Sequence, residues 1–202
     1  MTMPIKRSCI APLGVAGGAL VLLTGCGAGG LVSGARPVAD VAGVVASPLP
    51  SASFNDADVM FTQMMIVHHQ QATDMADLAT TRASDPEVKK LAAAIKDEQQ
   101  SQMKTMRAML TGWGWTAAPS RMAQDMPGLV SQSDMDKLTA AKGRDFDRLF
   151  LQHMIAHHKG AIEMARTELA QGADEQAKKL ADAIVADQRP QIDRMQSILN
   201  RL

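Results

Sequence analysis

Tyrosine is absent from this chain of 202 residues, and only four Phe and two Trp supply aromatic surface. A stacking platform for nucleobases has almost nothing to be built from. An excess of one charge is missing too: twenty-one basic residues stand against twenty-one acidic ones, and no basic run occurs. Neutralising phosphates requires a basic face or tail, so nucleic acid is excluded as a partner. Cysteine is scarce, with Cys9 and Cys26 the only two. Neither Cys-x-x-Cys-His nor His-Glu-x-x-His occurs, which excludes attached haem and zinc hydrolases of that helix motif. No Asp or Glu stands three residues before any His, so the Glu-x-x-His pairs of di-iron bundles are missing. No nucleophile, base and orienting group form a recognisable set, and an enzyme is not expected.

What the chain has instead is sulfur and imidazole: fifteen Met and five His in a background that is 46% apolar and 21% charged. That balance describes one globular domain. The N-terminus reads as addressing information. Lys6 and Arg7 precede an apolar stretch from Ile10 to Leu23 that is short for a bilayer span, and Leu23-Thr24-Gly25-Cys26 follows. The tetrapeptide resembles the bacterial lipobox, so residues 1–25 are expected to be a lipoprotein signal peptide and Cys26 a lipid anchor. Cys9 leaves with the signal, and the remaining chain holds no disulfide and no thiolate site. Loss of Lys6 and Arg7 leaves nineteen basic residues against twenty-one acidic, nothing polybasic for lipid head groups. Residues 26–53, rich in Gly, Ala, Val, Ser and Pro, show no period and are expected to be a flexible tether.

The remainder is a tandem duplication. A shift of 89 residues aligns the sixteen residues from Phe61 to Ala76 with those from Phe150 to Ala165, nine of them identical. Without a gap, the same shift sets Asp85, Leu91, Gln99, Gln102 and Met106 on Asp174, Leu180, Gln188, Gln191 and Met195. Each half is one copy of a two-element unit. In the first element Phe61, Met65, His68, Ala72, Met75 and Ala79 recur at spacings of four and three, a helical stripe that no strand can make. Asn55 or Ser53 is expected to cap this helix and Asp145 its partner. Asp85 followed by Pro86 starts the second element, and Gly172 with Asp174 marks the same boundary in the other copy. Short loops between helices predict an αα-hairpin over 54–112 and another over 143–202, joined by a crossing at 113–142. Two hairpins burying their stripes give an all-α antiparallel four-helix bundle. Pro190, where the first copy has Ser101, is expected to kink or split the last helix.

All five histidines fall in the two equivalent helices, His68 and His69 in one, His153, His157 and His158 in the other. Residues three and four apart share a helix face, so Met65 is within reach of His68 and His69, and Met154 of His157 and His158. Met64 and His153 are equivalent, and His153 with His157 has the i, i+4 spacing of a chelating pair. Met75 and Met164 follow the stripe histidine by seven residues. Neutral imidazole with thioether is a soft to borderline donor set that selects copper, Cu(I) above Cu(II). Thioethers also fill cores, and a lone His on an apolar stripe is ordinarily a bonded core residue. Against that, burying an unbonded imidazole is costly, and the pattern does so at least twice. Gln99, Gln102, Gln188 and Gln191 lie toward the interior and are placed to bond these rings. Asp74 and Glu163 read as solvated charges, with the orienting of an imidazole as the alternative. Trp113 and Trp115 read as a plug at a helix end, and Met122, Met126 and Met135 as loop packing, with an extended Met-rich copper path as the alternative.

The paired Phe-x-x-x-Met-Ile-x-His-His-x-x-Ala-x-x-Met-Ala motifs, each followed by a helix ending in Met-x-x-Met-Leu or Met-x-x-Ile-Leu, resemble the domain of unknown function 305 family over residues 54–202. The resemblance implies a ferritin-like fold and, from members described as extracytoplasmic copper-binding proteins, a role in copper handling. It carries ligand positions onto Met65, His68, His69, Met154, His157 and His158. Pro190 departs from the pattern, as do Gln102 and Gln191, where an acidic residue is expected. The resulting expectation is a lipid-anchored protein on the extracytoplasmic face of the membrane that sequesters or chaperones copper. A copper donor or acceptor protein and a second copy of the chain are partners it leaves open. The alternative is a metal-free envelope structural or interaction module whose His and Met pack the core.

Overall fold

The computed structural model describes residues 54–116 and 126–202. The expected signal peptide, Cys26, the tether with Ser53, and within the crossing Pro119 and Met122, lie outside the described residues. Among those described there are five helices and no strand: α1 Asp56–Arg82, α2 Pro86–Gly112, α3 Gln132–Ala140, α4 Gly143–Gln171 and α5 Glu175–Arg201. None is long and apolar enough to cross a membrane.

The starts follow capping chemistry. Asn55 opens α1 with a capping box, its side chain accepting from Ala57 and Asp58 while Asp58 accepts from the Asn55 N–H. Asp85 caps α2 before Pro86, and Asp174 caps α5. Asp145 does not cap α4. That helix begins earlier, at Gly143, behind Lys142, which makes no side-chain cap bond; Asp145 sits in the first turn, where its charge meets the positive end of the helix dipole. Nor is the last helix split: α5 runs unbroken through Pro190. Pro190 is exposed, so the missing N–H falls on the solvent side of the helix.

Three-residue connections fold α1 onto α2 and α4 onto α5, and the two hairpins meet along α1 and α4. Two apolar cores fill the join. In one, Phe61, Met65 and Ile66 of α1 pack with Ala161, Ile162 and Ala165 of α4; in the other, Ala72, Met75 and Ala79 pack with Phe146, Phe150 and Met154. The start of α1 therefore meets the end of α4, and the two helices run antiparallel. Each large apolar side chain fully buried here contributes about 1.5–3 kcal/mol.

Two carboxylates lock the hairpins together. Asp147 of α4, fully buried, accepts from the Asp85 N–H at 2.9 Å and from the N–H and hydroxyl of Ser84, in the α1–α2 turn. Asp58 of α1, equally buried, accepts from Ala173 at 3.1 Å and Asp174 at 3.0 Å, in the α4–α5 turn. Asp58 and Asp147 are themselves 89 residues apart, so each repeat caps the other's turn. Arg201 at the end of α5 adds an ion pair to Asp85.

Candidate metal centre

The stripe that makes α1 and α4 amphipathic also brings their histidines to the crossing point of the two helices. His68, His69, His157 and His158 are all completely buried, in a layer between the two apolar cores. His68 and His157 are in ring contact, with centroids 3.7 Å apart. Every one of the four rings bonds through Nε2 to an oxygen that can only accept: His69 to the Gln102 amide oxygen at 2.7 Å, His158 to that of Gln191 at 2.7 Å, His68 to the Pro127 carbonyl at 3.0 Å, and His157 to the His68 carbonyl at 2.9 Å. Each Nε2 must then carry the proton, which leaves the lone pair on Nδ1. All four Nδ1 atoms are buried without a partner. This is the arrangement by which a neighbouring oxygen fixes the tautomer of a ligating histidine.

Burial also keeps these rings uncharged. It lowers His68 to about 4, His69 to about 3 and His158 to about 4, and it holds His157 well below the ordinary imidazole range. A neutral ring gives its lone pair to a soft ion without first losing a proton.

The surrounding polar groups repeat with the duplication. Gln102 passes its amide N–H on toward Asp187 at 3.4 Å, and Gln191 donates to Glu98 at 2.8 Å, each across to the other repeat. Asp187 and Glu98 are equivalent positions, so two His–Gln–carboxylate chains cross between α2 and α5. Burial and the nearby Asp187 charge push the Glu98 carboxyl upward. One turn away, Gln99 and Gln188 are fully buried, and both amide groups lack partners. Of the four interior glutamines, two hold histidines and two do not.

The methionines divide. Met65 lies in one core, Met75 and Met154 lie in the other, and all three are fully buried. Met64 and Met164 are half-buried and face a groove outside the histidine layer. His153 is half-buried near Asp134 of α3, whereas His157 lies on His68, so the two rings on one helix have different neighbours. Asp74 is solvated, bonded only to Gln70, and Glu163 is exposed. Trp113 stacks on Phe54 at 5.0 Å, a plug at the end of α2, while Trp115 is exposed.

A strap missed in the sequence covers the site. Residues 126–130 cross α1 and α4, and Pro127 supplies the carbonyl that receives His68. Gln71 clamps Val130 by two 2.8 Å hydrogen bonds. Gly128, at φ +78°, passes so close to Gly160 that a Cβ on Gly160 would run into the Pro127 carbonyl. The available signal was the difference between repeats: Gln70-Gln71 in one against Lys159-Gly160 in the other.

The family model described as "Domain of unknown function (DUF305)" matches residues 58–199. The chain belongs to the DUF305 family. Among solved structures, this DUF305 chain is 35% identical to a DUF305 fragment from Deinococcus radiodurans, over 73% of this chain and 98% of that one, with a TM-score of 0.68. It is 32% identical to a DUF305 protein of Streptomyces coelicolor described as a candidate secreted protein, over 72% and 93%, at TM-score 0.67. It is 34% identical to CopM in its Cu(I)-bound form, over 71% and 96%, at TM-score 0.61; CopM has also been solved with Cu(II) and with Ag bound. No curated protein matches the chain.

Proposed function

We propose that this DUF305 protein is a lipid-anchored, extracytoplasmic copper-binding protein, without enzymatic activity, that sequesters the ion or hands it to a partner. Its four long helices serve as an antiparallel, ferritin-like bundle whose α1–α4 crossing holds the ligands. The observation that carries this is the set of four buried, uncharged imidazoles whose Nε2 protons are spoken for and whose Nδ1 lone pairs are not. His68 and His157, in ring contact across the repeats, are the central pair, with His69 and His158 next to them in the chain and the buried thioethers Met65 and Met154 three residues before the pair on the same helix faces. Soft, low-coordinate Cu(I) suits such a donor set better than a hard ion does. Further support comes from CopM, a relative with structures in copper-bound forms.

The test is a competitive Cu(I) titration under reducing conditions against a chromophoric chelator. The protein should bind stoichiometrically, and the His68→Ala, His157→Ala variant, checked for folding by circular dichroism, should lose affinity by at least tenfold. Unchanged affinity in a folded variant sinks the assignment.

One observation favours the competing structural module: among the described residues, no three His, Cys, Asp or Glu side chains are grouped to hold an ion. Under that alternative, Cu(I) leaves the melting temperature unchanged, whereas a ligand set gives a rise that grows with free ion.

A further inference from the structure

Beside the histidine layer, at the end where α1 begins and α4 finishes, lies a groove of about 220 Å³ whose lining includes Met60, Met64 and Met164. Met60 is 59% exposed, one of two large apolar side chains so placed among the described residues. Met164 packs in part against the α1–α4 core, whereas packing does not account for the exposed Met60. The residues 89 positions away are Leu149, His153 and Met75, so the equivalent positions of the duplication hold one thioether where these hold three. Met60 and Met64 are also one helical turn apart on α1, on the same face. Glu163, which is exposed, lines the same groove and gives it a carboxylate alongside the sulfurs, whereas the Glu168 oxygens are buried.

The groove and the histidine layer share a wall. Pro127 lines the groove, and its carbonyl is the acceptor for His68 Nε2. Pro127 of the 126–130 strap thus touches both the thioether-lined groove and a buried imidazole. We propose that Met60, Met64 and Met164 form an outer site for a soft monovalent cation, Cu(I) or Ag(I), from which the ion passes beneath Pro127 to His68. The passage is ligand exchange. Thioether sulfurs leave as Nδ1 binds, the oxidation state is unchanged, and the Nε2 proton stays on the ring. The outer site stands on the groove alone, while the passage rests on the copper-binding function proposed above.

Ag(I), which has no accessible redox chemistry here, is the probe. In proton–carbon correlation spectra of the purified protein, the Met60, Met64 and Met164 methyl signals should move in the first additions of Ag(I), before the His68 and His157 ring signals change. The Met60→Leu, Met64→Leu, Met164→Leu variant keeps side-chain volume and should fold. It should bind one equivalent fewer and load the histidines at least tenfold more slowly, reaching the same final ring shifts. Groove methyls that stay still, or a variant that loads with unchanged stoichiometry and rate, overturn the outer site. Methyl shifts with silent histidine rings support the outer site and overturn the passage together with the buried ligand set.

Discussion

Glu168 shows what a single side chain can do in this frame. It stands where the first repeat has Ala79, and it is buried against Asp58 next to Gly172, whose missing Cβ leaves it room. Burial, then hydrogen bonding to Asp58 and the charges of Asp58 and Asp174, raise its carboxyl to about 8. Burial works the other way on Asp58, but hydrogen bonds from Glu168 and from the N–H groups of Asn55, Asp174 and Ala173 outweigh it and leave that carboxyl lowered. The pair therefore holds one proton, on Glu168. Between about pH 4.5 and about pH 8 the folded chain keeps a proton that the unfolded chain has lost, so stability falls as pH rises through that window and levels off above it. Glu168→Gln, which needs no proton to donate to Asp58, should remove that slope and be more stable than the parent at pH 8 by on the order of 4 kcal/mol. Urea unfolding across pH 5–9 measures it; parallel curves for the two proteins would refute the shared proton.

At the scale of elements, the strap and the capped turns depend on contacts far apart in sequence. Gly160→Ala places a Cβ against the Pro127 carbonyl and should lift the strap from α4, costing about 1–3 kcal/mol. A thermal melt reads the loss, and a melting temperature equal to the parent's would mean that the strap is not held there. The helices themselves were legible beforehand, because the stripe, the caps Asn55, Asp85 and Asp174, and the stop at Gly172 are local signals. The short α3 has a local cap in Ser131 but buries only Leu138, and the strap is held by Gln71, His68 and Gly160, contacts far away in the chain. A split at Pro190 and a cap at Asp145 both follow from one residue's own propensity, but packing continues α5 through Pro190 and the Gly143 turn starts α4 earlier.

Across the whole molecule, the reciprocal caps make two hairpins into one cooperative unit. Asp147→Ala leaves the Ser84 and Asp85 N–H groups without their acceptor and should cost about 2–4 kcal/mol, since each hydrogen bond to a charged group contributes about 1.5–3 kcal/mol and part is recovered by water. Chemical denaturation followed by circular dichroism should still show one transition, shifted to lower denaturant. Two separate transitions would show that the repeats unfold independently and that the caps do not couple them. The duplication by itself determined the helical class, the equivalence of the repeats and the matching of His68 and His69 with His157 and His158, because period and offset are written along the chain. The separation of His153 from the buried layer came from the fold. The tertiary structure alone decided that Met65 and Met154 lie in different cores, that Met64 and Met164 face outward, and that Asp58, Asp147 and Pro127 reach across. Periodicity places a side chain on a face of its own helix, but the partner of that face is set by how two antiparallel helices cross, and that requires the whole fold.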